Sequence, residues 1–229
     1  MRAFILSVRA MAPSEQLSSR RWEAQSDSSC CSRRASTRGR AGGGGTNSPQ
    51  NEACKIGTVG PGGGWIFFVD YNNIFSTFNY LEAAPTLISD GATNIAWCNN
   101  TGVSISGAKI AFPGAAAGAL GRGSANTLAI VASSVSPGTG SGICTSGAAV
   151  DAYNYSTKSG TFTDWYLPSI RELTLMVPTL AQVGFSYSAR FWSSTEFDTT
   201  NAYRLESDTE NKGVSNKGGE NSVWAVRSF

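Results

Sequence analysis

Phe191-Trp192-Ser193-Ser194-Thr195-Glu196-Phe197 and Ser222-Val223-Trp224-Ala225-Val226-Arg227-Ser228-Phe229 bracket the stretch whose reading decides the fold. Both runs carry the aromatic, β-branched and small residues that suit a pleated surface. In the second, Val223, Ala225, Arg227 and Phe229 fall on one face and Trp224 and Val226 on the other. Apolar groups on both faces predict a strand buried near the middle of a sheet. Between the two runs, Asp208 to Asn221 holds Asp, Glu, Asn, Lys, Gly and Ser and almost no apolar residue, so it reads as exposed loop and turn.

Further strands are expected upstream. Gly60-Pro61-Gly62-Gly63-Gly64 leads into the β-type run Trp65 to Asp70, a turn followed by a strand. A phosphate cradle would need a Lys followed by Ser or Thr and then a helix N-terminus, and none follows Gly64. Tyr80 to Pro85 reads as a second extended piece, and Ile95 to Cys98 as a third that ends in the turn Asn99-Asn100-Thr101-Gly102. Helical patterning covers Gly121 to Ser134, with Ser124 as candidate N-cap ahead of Leu128, Ile130 and Val131. A second helix is expected after Pro168, where Ser169 and Glu172 form a capping box and Pro178 disturbs or ends the helix. Two helices and small mixed or antiparallel sheets, separated by many loops, describe an α+β domain.

Of 229 residues, 41% are hydrophobic, 15% are charged and 26 are glycine, a composition that disfavours a helix bundle. Six Trp, seven Tyr and eleven Phe predict an aromatic core. Residues 1–52 are rich in Arg, Ser and Gly and lack periodicity, so the domain is expected over 53–229. The arginine-rich start reads as a disordered tail or a mispredicted start, with a nucleic-acid arm or transit peptide as the other readings. Ala3 to Val8 follows Arg2 like the beginning of a signal peptide, but Arg9 interrupts the apolar run.

The net charge of +2 hides a split, because residues 1–40 carry eight arginines against three acids. The remaining residues hold ten basic against thirteen acidic side chains, or −3, which argues against nucleic acid as a partner of the folded part. No apolar run reaches the roughly 18 residues of a membrane-spanning helix. With no histidine and no CxxC pair, zinc ligation by the usual sets is excluded, and no metal or cofactor is expected. Cys98 and Cys144 are either a disulfide, in an extracellular setting, or two buried thiols.

The motifs run in the order GPGGGWIFFVD (60–70), LEAAP (81–85), WCNN (97–100), SISGA (104–108), SANTLAIV (124–131), DWYLPSIREL (164–173), FWSSTEF (191–197) and WAVRSF (224–229). In this order they resemble the family named after the C-terminal domain of the Lcl collagen-like adhesin, over about residues 54–229. The resemblance implies a C-type-lectin-like fold, related in architecture to formylglycine-generating enzymes. It also implies a ligand-binding role at the cell surface, in secretion or on a virion. Several members of the family are target proteins of diversity-generating retroelements, in which miscopied template adenines vary the C-terminal repeat while its framework is kept.

By that comparison residues 191–229 are a variable region. Its framework letters are Trp192, Ser193, Ser194, Glu196, Ala202, Lys217, Val223, Val226, Arg227 and Phe229. The varied, exposed positions are Asp198, Thr200, Tyr203, Arg204, Glu206, Thr209, Gly213, Val214, Ser215, Gly218, Gly219, Glu220, Ser222 and Trp224. Tyr203, Arg204 and Trp224 are the expected anchors for a protein or cell-surface partner, since Tyr, Trp and Arg dominate interface energetics. Trp224 stands where the family ending leads one to expect Arg, and is either a diversified contact or an ordinary buried ring.

Two rival functions start from the same fold. The formylglycine-generating chemistry uses a cysteine pair near the domain end, whereas no cysteine follows Cys144 here. Glu196 with Asp198, and Glu206 with Asp208, read as solvated acids rather than a general acid–base pair, so no catalytic residue is expected. A calcium-dependent sugar lectin would need the Glu-Pro-Asn or Gln-Pro-Asp tripeptide and the Trp-Asn-Asp triplet, and Trp192-Ser193-Ser194 stands instead of the latter. A non-diversified adhesin or phage-tail structural domain is the remaining alternative.

Overall fold

A computed structural model of the chain describes residues 55–89, 94–99, 118–132, 144–157, 160–185 and 187–229. The expected tail over 1–52, the turn residues after Asn99, the 104–108 motif and the helix end at 133–134 lie outside them. The elements are β1 (Trp65–Val69), β2 (Tyr80–Ala83), β3 (Ile95–Ala96), α1 (Gly123–Ala132), α2 (Ala148–Asn154), α3 (Ile170–Gln182), β4 (Arg190–Glu196), β5 (Asn201–Glu206), β6 (Lys212–Asn216), β7 (Glu220–Asn221) and β8 (Val226–Ser228). Among the described residues the fold is mixed α+β, with three helices and small antiparallel sheets ordered β1-β2-β8, β3-β7 and β4-β5-β6. No helix among them is long and apolar enough to cross a membrane.

The first sheet is organised around a buried charge. Glu82 on β2 is fully buried, and its carboxylate accepts hydrogen bonds from Gly64 N (2.7 Å) and Gly62 N (3.1 Å) in the glycine-rich turn. Gly64 has no room for a side chain, since a Cβ there would meet the Ala83 carbonyl oxygen at 1.8 Å. Arg227 on β8 donates from Nη1 to Glu82 (3.1 Å) and from Nη2 to Asp164 (2.8 Å). Its guanidinium lies over the rings of Phe162 (4.5 Å) and Phe229 (4.9 Å), which screen it from water. Burial pushes the Glu82 carboxyl up from its usual range, although the two glycine N–H groups and Arg227 pull it back. Burial opposes charge on Arg227 as well, but Asp164 and Glu82 outweigh it and hold the guanidinium above its ordinary value.

The C-terminal strand is shorter than its pattern predicts. The ladder to β2 covers Val226 to Ser228, yet every residue from Asn221 to Arg227 is buried. Tyr166 closes the outer edge of β8, exchanging two backbone hydrogen bonds with Val226 at 2.8 and 2.9 Å. The expectation of a strand near the middle of a sheet is thus met only in its burial, because β8 ends the order β1-β2-β8 and has a single bridging residue on its other side.

The helices correct three expectations. Helix α2 makes three helices rather than two; it is a short alanine-rich turn behind Gly147 that buries Ala148, Ala149 and Ala152. Helix α1 starts at Gly123, so Ser124 lies inside its first turn instead of capping it, and Leu128 is exposed while Ile130 is buried. Helix α3 has the expected capping box of Ser169 and Glu172 but runs through Pro178 to Gln182. Pro178 removes one backbone bond, while buried Met176, Val177 and Leu180 on either side hold the helix to the core.

Asp208 to Asn221 is not loop throughout, because it contains β6 and β7. Residues of β6 alternate between exposed and half-buried, and the strand is held by backbone pairing to β5 from Asn201↔Asn216 to Leu205↔Lys212. Such an edge needs no apolar side chains, so composition does not announce it.

The core is aromatic, as the composition predicts. Trp97, Trp165, Trp192 and Trp224 are all buried, and each indole N–H finds a backbone carbonyl: Ser193, Phe162, Ile95 and Ala84, respectively. Cys98 and Cys144 are joined by a disulfide with Cα atoms 5.2 Å apart, which resolves the two readings of that pair.

Two outcomes test this account. Arg227→Met leaves Glu82 buried without its counter-charge and should lower stability by about 3–5 kcal/mol, read from the urea midpoint. Glu172 is fully buried and takes N–H bonds from Ser169 (2.7 Å) and Gly121 (2.8 Å), yet burial raises it from 4.5 to about 7. Its folded value lies above the unfolded one, so its stabilising proton is fully present below pH 4.5 and lost as pH rises to about 7. Glu172→Gln should remove a fall in stability of up to about 1.4 kcal/mol per pH unit across that window, measured by urea unfolding along a pH series.

Candidate binding surface

Residues 197–220 form a flap of sheet and turns that two buried runs hold at its ends. On one side, β4 places Phe191 to Glu196 wholly inside. On the other, Asn221 to Arg227 is buried, with Ser222 bridging back to the start of β4 through Trp192 N→Ser222 O (3.0 Å) and Ser222 N→Arg190 O (2.8 Å). Lys217 fastens the middle. Its ammonium is fully buried, paired with Glu196, donating to the Thr199 carbonyl (3.0 Å) and sitting 4.9 Å from the Trp97 ring centre. Its backbone bonds Thr200 O and Trp97 N, both at 2.8 Å. Glu196 is thus the buried partner of an ammonium and not the solvated acid its sequence neighbours suggest.

The turn before β5 is set by Asp198, whose carboxylate collects N–H bonds from Asn201 (2.7 Å) and Thr200 (2.8 Å) and the Asn201 amide (3.0 Å). The Asn201 side chain leads the bonds that pull Asp198 down to about 2. Along β5, alternation sends neighbouring side chains to opposite faces. Arg204 faces Ser215 (Nε to Oγ 2.7 Å) and Glu206 (Nη1 to Oε1 2.7 Å), and Arg190 reaches Glu206 at 3.2 Å. Hydrogen bonding to Arg204 is the foremost cause of the lowered Glu206 carboxyl. With its Arg190 side chain 63% exposed, the Arg190–Glu206 pair is screened by solvent, so it is a surface feature and not a brace. Tyr203 points the other way, its ring 5.3 Å from Phe197 and its backbone opposite Val214. Phe197 and Val214 are 44% and 43% exposed, which makes this a small apolar patch.

The expected recognition residues therefore divide. Thr200, Thr209, Val214, Gly218 and Glu220 are exposed, and Asp198, Tyr203, Arg204, Glu206, Gly213, Ser215 and Gly219 are half-buried. Ser222 and Trp224 are buried, which corrects their assignment as exposed positions. Ser222 donates to Asn94 Oδ1, and Trp224 packs 5.2 Å from Tyr187 and 5.7 Å from Phe191, a core ring and not an anchor. Tyr203 and Arg204, expected side by side in one surface, lie on opposite faces of the sheet. Of the framework letters, Trp192, Ser193, Ser194, Glu196, Ala202, Lys217, Val223, Val226 and Arg227 are buried, and Phe229 is half-buried.

On the Arg204 side a polar cleft of about 420 Å³ opens between the start of β4, the β5–β6 turn and β7. Glu206, Thr209, Glu220 and Ser222 line it, together with Asp208, read from the sequence only as a solvated acid, and with Asn94, Ser188, Arg190 and Asn221, which sequence reasoning did not assign to a site. Ser188 and Ser207 donate to Asp208 and hold its carboxyl below the usual range. Asn94 comes from a distant part of the chain, and no local pattern links it to β7. Among the described residues no group of three or more His, Cys, Asp or Glu side chains is placed to hold a metal ion.

Trp224→Ala should destabilise the protein by about 3–5 kcal/mol in urea unfolding, as other buried rings do, whereas Val214→Ser on the exposed edge should stay within about 0.5 kcal/mol. No family model matches the chain, and no curated protein matches it.

Proposed function

We propose that this protein is a recognition module with a C-type-lectin-like fold, presenting residues 198–220 as a diversified binding surface to a protein or cell-surface partner. The observation that carries the reading is which polar letters are buried. Hydropathy alone would put Ser193, Ser194, Glu196, Lys217 and Arg227 outside, yet they are the framework letters of the family pattern and all lie in the interior. The positions that the pattern marks as varied keep side chains or backbone at the surface, apart from Ser222 and Trp224. A division of this kind lets surface letters change while the scaffold is kept, and a rigid scaffold limits the entropy lost on binding. The Cys98–Cys144 disulfide fits a chain that works outside a reducing cytosol.

Diversification is tested in the genome that carries the gene. A reverse-transcriptase gene nearby, with a near-copy of codons 191–229 that differs at adenines, is the expected finding, and a locus without such a copy would count against it. Recognition is tested with the full chain and a Thr200→Ala, Thr209→Ala, Val214→Ala, Glu220→Ala variant, each used to capture partners from cell-surface extracts. The variant should lose the captured partner with an unchanged urea midpoint. Equal capture by both proteins, or loss only on unfolding, would overturn the proposal.

A further inference from the structure

Strand β6 ends the order β4-β5-β6, and among the described residues it pairs with β5 alone. Hydrogen bonding alternates along an antiparallel ladder, so the bonds at its two ends tell which backbone groups point outward. Lys217 N donates to Thr200 O (2.8 Å) and Glu206 N to Asn211 O (3.0 Å), which makes Gly213 and Ser215 the β6 residues bonded to β5 between them. Lys212, Val214 and Asn216 therefore turn their N–H groups to the open side, as do Lys212 and Val214 their carbonyls, while the Asn216 carbonyl accepts from Gly219 N at 2.8 Å. The side chains of these three residues are exposed. Val214 stands opposite Tyr203, whose ring lies 5.3 Å from Phe197, so an apolar stripe crosses the sheet and stops at this edge.

We propose that β6 pairs with β6 of a second copy of this chain, antiparallel about a twofold axis at Val214, so that two sheets become one of order β4-β5-β6-β6-β5-β4. An open edge can take a strand of any sequence, and a second copy is favoured because this edge complements itself. With Val214 opposite Val214, the two valines exchange N–H···O bonds and each Asn216 N–H meets the Lys212 carbonyl of the other copy, about four backbone bonds in all. The apolar stripe then continues from one copy into the next. Lys212 falls opposite Asn216, and at about 3.4 Å per residue the two lysines stand about 14 Å apart, beyond a screening length of about 8 Å. Centring the pair on Gly213 would halve that distance and part the valines, and centring it on Lys212 would set the two ammonium groups opposite each other. Beyond the strands, the Glu210 turn of one copy meets Gly218 and Gly219 of the other, which carry no side chains. Such a contact is far smaller than the roughly 1,200 Å² of stable interfaces, so the pair forms at high concentration or where copies are crowded together. The inference does not need the recognition reading; it adds that the ionic faces of two β5 strands lie side by side, able to hold a repeated target at two points.

The test is sedimentation of the full chain, its thiols alkylated, from about 5 μM to about 1 mM, with hydrogen exchange read at single amides. A reversible dimer should build up toward the top of that range. Where half the chains are paired, the Lys212, Val214 and Asn216 amides should exchange about twofold more slowly, while Gly213 and Ser215, already bonded to β5, keep their rates. Val214→Lys sets two ammonium groups about 5.5 Å apart and should keep the protein monomeric throughout, with its urea midpoint unchanged. Val214→Pro, which removes only an outward N–H, should weaken pairing about tenfold. Ile74→Ser, at a side chain 72% exposed on another loop, should leave pairing as it was. A chain that is still monomeric at the highest concentration would overturn the proposal, as would a dimer that survives Val214→Lys, that Ile74→Ser abolishes, or that leaves the three outward amides unslowed. Slowing of those amides only when a captured partner is added would assign the edge to a foreign strand and overturn the second copy. Partner capture by a protein that stays monomeric would leave the recognition reading standing while the pairing falls.

Discussion

The ion pair between Arg227 and Glu82 is the constraint on which the rest of the structure depends. Both ends of the described chain meet there, since the Gly60–Gly64 turn donates to both oxygens of Glu82 and β8 supplies the guanidinium that shares Oε2. A buried charge pair of this kind adds little net stability over an apolar substitute, but either partner alone inside the protein is strongly unfavourable. Its effect is on arrangement. Only the pairing of β2 with β8 in one register brings Arg227 opposite Glu82, and that register sets Trp224 against the Ala84 carbonyl.

A second buried pair, Lys217 with Glu196, does for the surface flap what Arg227 does for the sheet. Between them the two pairs explain how a region of low apolar content keeps a defined shape. The β4-β5-β6 sheet buries Phe191 and Trp192 on β4 and Ala202 and Leu205 on β5, but no residue of β6, which is held by its backbone ladder and by one ammonium drawn into the interior just beyond it. Side chains that face water on this flap take no part in the core, and the two faces of β5 offer different chemistry, an aromatic patch on one side and ionic groups with a cleft on the other.

Much of this was legible from local signals. The Trp65 and Tyr80 strands, the Ser169–Glu172 capping box and the aromatic core all follow from residues adjacent or nearly adjacent in sequence. What sequence reading missed depended on partners far along the chain. The β6 edge is paired through its backbone, and the burial of Ser222 and Trp224 comes from Asn94, Ala84 and Tyr187. The choice between disulfide and thiols for Cys98 and Cys144 needed their positions in space, 46 residues apart in sequence. The cleft was hidden for the same reason, because Asn94 and Glu220 meet only after β3 pairs with β7.

The docking of Lys217 carries a consequence for how this segment can evolve. From Glu196 to Lys217 the chain leaves the interior, turns twice and returns to the same carboxylate, so the path length between those two residues is fixed by the closure. A changed letter on the outward positions disturbs neither the ladder nor the buried ammonium. An inserted or deleted residue is different: a slip of one position in β5 or β6 turns every side chain to the other face and pulls Lys217 off Glu196. The segment is therefore open to rewriting at its outward positions and closed to resizing.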